Sequence, residues 1–199
     1  MKKIIVATGN KGKVKEIKEI LSGLPYEFVP LGDIWNPLPD IEENGSTFFQ
    51  NARIKADWVY SHSGVWALAD DSGLEVDALN GAPGVWSARY AGLQGDSQAN
   101  NKKLLDALKN VSIKQRTARF KCVIVLKYGI DSYISAEGVC EGFIGFQPQG
   151  TSGFGYDPLF FPVNENETFA ELSSEKKNIL SHRGKALKIL CEKINELSI

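Results

Sequence analysis

Val65-Trp66-Ala67-Leu68-Ala69-Asp70-Asp71-Ser72-Gly73 is the stretch on which the reading of this chain turns. The apolar run Val65 to Ala69, bounded by polar residues and glycine, predicts a buried strand. Two adjacent carboxylates at its end are costly, because they repel each other and each loses hydration if the strand end is covered. One reading of Asp70-Asp71-Ser72-Gly73 is an Asx-turn that closes the strand. The other is a site that needs negative charge at one point, and the surrounding sequence has to decide between them.

Toward the N-terminus, Lys3 to Thr8 predicts a first strand, and Val14, Ile17, Ile20 and Leu21 give Lys13 to Leu21 helical spacing. Tyr26 to Leu31 predicts a second strand. The Pro- and acid-rich loop Asp33 to Gly45 that follows is long enough to suggest function. Ser46 or Thr47 caps a helix whose inward face holds Phe48, Ala52, Ala56 and Val59. Beyond the acidic pair come a Gly/Pro-punctuated segment through Gly84 and a helix from about Ser97 to Leu108. Thr117 to Tyr128 alternates, with Ala118, Phe120, Cys122, Ile124 and Leu126 on one side. Gly129-Ile130-Asp131 reverses the chain into Tyr133–Ile144, which makes a long hairpin. A Gly-rich loop, Gly150 to Pro158, precedes a C-terminal helix whose stripe Leu187, Leu190, Ile194 and Leu197 reads as core or as a dimer face. Strands and helices in this order predict a mixed α/β protein, a single domain over 1–199, with a cleft between two closely joined lobes.

The 23 Lys and Arg against 24 Asp and Glu leave a net charge of −1, so no global field draws the chain to nucleic acid or membrane lipid. Any anionic ligand therefore requires a local site. Cys122, Cys140 and Cys191 are far apart and show no Cys-x-x-Cys spacing, which argues against zinc and against a disulfide framework. With only His62 and His182, a metal here should be a hard cation held by carboxylates. Even the longest apolar runs, such as Cys122 to Leu126, are too short to span a bilayer. Met1-Lys2-Lys3 before Ile4 to Ala7 mimics a signal peptide, but Thr8-Gly9-Asn10 cuts the apolar part short, and a cytoplasmic protein is expected.

Four segments carry groups suited to chemistry. Thr8-Gly9-Asn10-Lys11-Gly12-Lys13 lies between strand and helix, where N–H groups and a helix start favour an anion. It lacks the glycine spacing of a P-loop or a dinucleotide fingerprint, and Gly and Asn also suit a βα turn for conformational reasons alone. Glu42-Glu43 reads as a solvated pair or, with Asp70 and Asp71, as part of an oxygen-ligand site for Mg²⁺; Lys55 on the next helix is either exposed or faces the same place. Gly153-Phe154-Gly155-Tyr156-Asp157-Pro158 is a platform for a flat base or a plug pinned by Pro158. Lys176-Lys177 and Ser181-His182-Arg183-Gly184 place cations at a helix start, which is unfavourable unless an anion or acceptor is near.

Taken together these segments resemble the inosine triphosphate pyrophosphatase family in its bacterial branch. The matching motifs are Thr8-Gly-Asn-x-x-Lys13, Glu42-Glu-x-Gly-x-Thr-Phe-x-x-Asn-Ala-x-x-Lys55, Ala69-Asp-Asp-Ser-Gly-Leu74, Gly81-Ala-Pro-Gly-Val-Trp-Ser-Ala-Arg-Tyr90, Phe154-Gly-Tyr-Asp-Pro158 and Ser181-His-Arg183. They follow the family order over nearly the whole chain. The resemblance implies an elongated, two-lobed mixed-sheet α/β fold of the Maf/ITPase-like type, with the active site in the interlobe cleft. It implies Mg²⁺-dependent hydrolysis of ITP, dITP and XTP to monophosphate and pyrophosphate by a homodimer, with no nucleic-acid or membrane partner. Carried over, Asp71 is the proton acceptor and, with Glu42, a metal ligand. Thr8, Gly9, Asn10, Lys11, Gly12, Lys13, Lys55, Ser72, Phe154, Gly155, Tyr156, Asp157, Lys177, His182 and Arg183 are expected to bind substrate, with Arg183 donating toward a purine 6-keto oxygen. The alternatives are a Maf-like pyrophosphatase for modified pyrimidine nucleotides and a non-catalytic nucleotide sensor.

Overall fold

β3 (Trp66–Val76) runs straight through the acidic pair instead of stopping before it. This excludes the Asx-turn and extends the strand well past Ala69. The reason lies in the pleat: successive side chains leave a strand on opposite faces, so Asp70 and Asp71 do not stand beside each other. The computed structural model describes residues 1–197. The other elements are β1 (Lys2–Val6), α1 (Lys11–Ile20), β2 (Tyr26–Pro30), α2 (Phe48–Ser63), α3 (Ser97–Ala107), β4 (Thr117–Lys127), β5 (Tyr133–Ile144), β6 (Phe160–Pro162), α4 (Ser174–Leu180) and α5 (His182–Glu196). The strands form a mixed six-stranded sheet in the order β2-β1-β3-β4-β5-β6, with β1 parallel to both β2 and β3 and β6 antiparallel to β5. The chain divides into two compact units.

The first unit comprises residues 1–71, 122–138 and the segment from Arg183 on. Its part of the sheet is covered on both faces, and sequence parity decides which side chain goes where. Ile4, Val6, Trp66 and Leu68 share one core with Ile17 and Leu21 of α1 and Leu187, Leu190 and Ile194 of α5. Ile5, Ala7, Ala67 and Ala69 point the other way, against Ala52, Ala56 and Val59 of α2. The four predicted inward positions of α2, Phe48, Ala52, Ala56 and Val59, are all buried. Alanines on both surfaces bring α2 close to the strand, which matters for Asp71 below. The C-terminal leucine stripe is core, as far as Ile194.

The second unit comprises residues 72–121 and 139–182. Leu74, Val76, Leu104, Leu108, Ala118, Phe120, Phe160 and Phe169 form its core. Arg116, 2% exposed, donates to the carbonyls of Leu108, Val111 and Gly145 and so satisfies the chain ends around α3. The helix expected at the C-terminus is two elements here. Ser181 adopts an extended conformation (φ −69°, ψ 157°) that ends α4 before α5 begins. Among the described residues no helix is long and apolar enough to cross a membrane.

α2 starts on a capping box: Thr47 Oγ1 accepts from Gln50 N–H and Gln50 Oε1 accepts from Thr47 N–H, both at 3.2 Å. Replacing Thr47 with Ala should cost about 1 kcal/mol. In thermal denaturation followed by circular dichroism that is a fall in Tm of about 2–4 °C.

Candidate active site

Two clusters in the first unit are separated by the thickness of β3. On the α1/α5 side, Asp70 is 1% exposed and bound by two cations. Lys13 Nζ lies 3.1 Å from its Oδ2, and Arg183 donates to the same oxygen from Nη2 (3.0 Å) and Nε (3.3 Å). Arg183 Nη1 donates in turn to Glu16 Oε2 at 2.5 Å. Burial alone would raise the Asp70 pKa, but Lys13 and Arg183 outweigh it and hold the carboxyl far below its usual range. For Arg183, burial opposes the charge while Asp70 and Glu16 reverse the balance and raise its pKa. The Cys122 thiol, 3.9 Å from Asp70 Oδ2, is pushed up by burial and by that carboxylate, so it stays protonated.

The sequence explains how Lys13 gets there. Asn10 caps α1, its Oδ1 accepting from Lys13 N–H at 3.1 Å, and Asn10 N–H donates to Thr8 Oγ1 at 3.1 Å. The Thr8–Lys13 turn is thus built by side-chain capping, with Gly9, Asn10 and Lys11 exposed and Gly12 half-buried.

On the α2 side, Asp71 is 7% exposed and faces a different set of groups. Lys55 Nζ lies 3.5 Å from Asp71 Oδ1 and 2.9 Å from Glu43 Oε2. Asn51 Nδ2 donates to Asp71 Oδ2 at 3.2 Å, and its Oδ1 accepts from Gly45 N–H at 2.8 Å. One buried amide therefore ties the acidic loop to the strand. Gly45 makes the approach possible, since a Cβ there would sit 2.6 Å from Gln50 Cβ and 2.7 Å from Asn51 Oδ1. Burial raises the Asp71 pKa and outweighs Lys55 and Lys13, with Glu43 and Asp70 adding to the rise. Lys55 is desolvated as well, yet Asp71, Glu43 and Asp70 hold its pKa above the ordinary value. Two neighbouring carboxylates of one strand are in this way driven in opposite directions, which is how acid–base chemistry and structural charge are kept apart.

In the second unit, Gly153 and Gly155 take left-handed conformations (φ 78° and 63°) and fold the aromatic loop back on itself. Asp157 Oδ2 accepts from Phe154 N–H at 2.8 Å and from Lys177 Nζ at 2.7 Å. The Lys177 ammonium also lies 5.0 Å over the half-buried Phe154 ring. Tyr156 is buried, and its hydroxyl donates to the Ser87 carbonyl at 2.9 Å. His182 stacks on Phe120 at 4.7 Å, inside the core. Ser72, next along β3, is half-buried.

Some positions differ from what the sequence suggests. The Arg183 guanidinium binds Glu16 and Asp70, contacts that no motif signals. Glu42 is exposed, and it is the next residue, Glu43, that shares Lys55 with Asp71. Glu43 and Asn51, which lie within the Glu42–Lys55 motif without a role of their own there, and Glu16, which lies outside every motif, join these clusters. The signal was spacing: Glu16 lies three residues after Lys13, and Asn51 four before Lys55, each on the same helical face as its partner.

The fold is that of a mixed α/β protein, and its first unit holds a buried carboxylate with a raised pKa beside a lysine and an amide. The chain belongs to the Ham1 family, whose family model matches residues 4–193. It is similar to the dITP/XTP pyrophosphatases of Thioalkalivibrio sulfidiphilus (51% identical over 194 residues, 96% of this chain and 98% of that one) and Bacillus subtilis (48% over 190 residues, 96% of each). Among solved structures, a HAM1 protein from Coxiella burnetii superposes with a TM-score of 0.88 at 43% identity, covering 98% of this chain and all of that one.

Removing the cation between two buried acids should be severe. Arg183→Ala is expected to cost about 3–5 kcal/mol in chemical denaturation. Asp70, with its folded pKa depressed, stabilises fully above the ordinary carboxylate pKa of about 4, and that contribution is lost as pH falls toward the folded value. Asp70→Asn should therefore be less stable than wild type at pH 7, with the gap in denaturation midpoint constant down to about pH 4 and narrowing only below it.

Proposed function

We propose that this chain hydrolyses the non-standard purine nucleoside triphosphates ITP, dITP and XTP to nucleoside monophosphate and pyrophosphate. The observation that carries this reading is Asp71, a buried carboxylate with a raised pKa beside Lys55 and Asn51. The names of the relatives support the substrate class. Family resemblance supports Mg²⁺ dependence, a homodimer and a cytoplasmic location.

Asp71 takes a proton from the water that attacks in line with the departing pyrophosphate. Its elevated basicity suits that task, and Asn51 holds the carboxylate in place through Oδ2. Lys13 and Lys55 each carry a three-donor ammonium, so an ion pair with a carboxylate leaves donors for phosphate oxygens. The Thr8–Lys13 turn adds N–H groups for the same purpose. Glu42 and Asp71 would hold Mg²⁺. Both are carboxylates, Asp71 buried on β3 and Glu42 exposed on the acidic loop that Asn51 ties to that strand, so the pair is an all-oxygen donor set of the kind a hard cation takes. One or two carboxylates completed by water and substrate oxygens is what Mg²⁺ prefers. When bound, it neutralises phosphate charge and stabilises the leaving pyrophosphate.

The base is assigned to the second unit, stacked on Phe154 and read by polar groups of Gly155 to Asp157, Lys177 and His182, with Ser72 also in contact with substrate. A donor aimed at a 6-keto oxygen accepts hypoxanthine or xanthine and is left unpaired against the amino group of adenine, a mismatch that can cost several powers of ten. Arg183 acts on the reaction through Asp70, which it braces.

The test is pyrophosphate release, coupled to an inorganic pyrophosphatase, across ITP, dITP, XTP, GTP, ATP and modified UTP and TTP. Turnover of the first three should exceed ATP by orders of magnitude. Preference for a modified pyrimidine would indicate a Maf-like activity, and tight ITP binding without turnover a sensor. Asp71→Asn should abolish turnover. Because a raised carboxyl pKa means the folded protein loses stability as pH rises through it, the same variant in EDTA at pH 7 should melt above wild type. Each kcal/mol of relieved strain corresponds to about 2–4 °C.

A further inference from the structure

We infer that Asn101, on α3, is a positioning residue for the base-binding turn, an inference that rests on the base assignment above. Asn101 Nδ2 donates to the Gly155 carbonyl at 3.0 Å. Gly155 is a left-handed glycine with no side chain to anchor it, sitting between Phe154, the base platform, and buried Tyr156. A turn of this kind has its freedom at the glycine, and the bond from α3 removes it.

α3 is a rigid place to anchor from. Asp96 caps it by accepting from Ala99 N–H at 3.0 Å. The neighbouring Asn100, 3% exposed, accepts from Ala91 N–H at 2.6 Å and donates to the carbonyls of Ser87 and Ala88 at 3.4 and 3.3 Å. The Ser87 carbonyl also accepts from Tyr156 Oη at 2.9 Å. Two consecutive asparagines of one helix thus hold the 153–157 turn by two routes. Asn100 acts through residues 87 and 88 to Tyr156, and Asn101 acts directly on Gly155.

Stability alone does not account for the Asn101 amide. Its Oδ1 is buried and meets no hydrogen-bond donor among the described residues, which is a cost to the fold. Asparagine is also a poor residue for a helix interior. A leucine of similar shape would remove the unsatisfied acceptor and improve the helix, losing only the bond to Gly155. The contact also lines a cavity of about 700 Å³ together with Ser97, Leu105, Thr151 and Phe154.

The experiment compares wild type with Asn101→Leu and with Asn101→Asp, which keeps the shape and removes the donor. Amide hydrogen exchange at residues 153–157 should speed up about 3–10-fold in both variants, the range expected from one lost neutral hydrogen bond. KM for ITP, and the Kd for IMP by calorimetry, should rise by a similar factor with kcat for ITP nearly unchanged. Asn101→Leu should melt at or above the wild-type temperature, whereas a merely structural asparagine would lower it. Exchange and IMP affinity unchanged in folded Asn101→Leu would overturn the inference. Failure of wild type to release pyrophosphate from ITP would overturn the functional reading instead, and the exchange measurement would still decide the role of Asn101.

Discussion

The pleat of β3 is the constraint from which the candidate site follows. A strand that runs unbroken from Trp66 to Val76 must send Asp70 and Asp71 to opposite faces of the sheet. Two charges that would be prohibitive side by side become separable, each compensated by the helix on its own side. The same parity sorts the core: Trp66 and Leu68 go with Asp70 against α1 and α5, while Ala67 and Ala69 go with Asp71 against α2. Site and core are laid out by one alternation.

From that separation come two chemically distinct carboxylates. Asp70 is enclosed by Lys13 and by Arg183, whose other arm binds Glu16. Such a buried charge group is a weak source of net stability but fixes geometry, because loss of any member leaves its partners uncompensated. Asp71 has a weaker ammonium contact, a single amide donor and nearby negative charge, so its proton is held more tightly. The first environment is suited to holding α1, β3 and α5 in register, the second to proton transfer. Asn51 links the second to the acidic loop, accepting from Gly45 N–H and donating to Asp71.

Much of this was legible in the sequence. The apolar-then-acidic run at Val65–Gly73, the cap before Phe48 and the alternation from Thr117 gave the right elements in the right order. Asp71, Lys13 and Lys55 came from motif and chemistry together. What the sequence could not show was long-range pairing. Arg183 lies more than a hundred residues from Asp70, and nothing local marks its guanidinium as bound within the fold. Glu42 and Glu43 are indistinguishable by pattern, and only the fold shows that Glu43 meets Lys55. Propensity also failed at Asp70-Asp71-Ser72-Gly73, which has turn composition but stays extended. Salt-bridge and hydrogen-bond partners on both faces outweigh local preference there.

The most direct measurement is a titration of individual carboxyl groups by carbon-13 NMR on the metal-free protein. Asp71 should titrate above the ordinary aspartate range, while Asp70 stays ionised to the lowest pH at which the fold survives. If Asp71 titrates together with Asp70 or below it, the two faces of β3 do not divide the carboxylates as described, and the catalytic assignment goes with them.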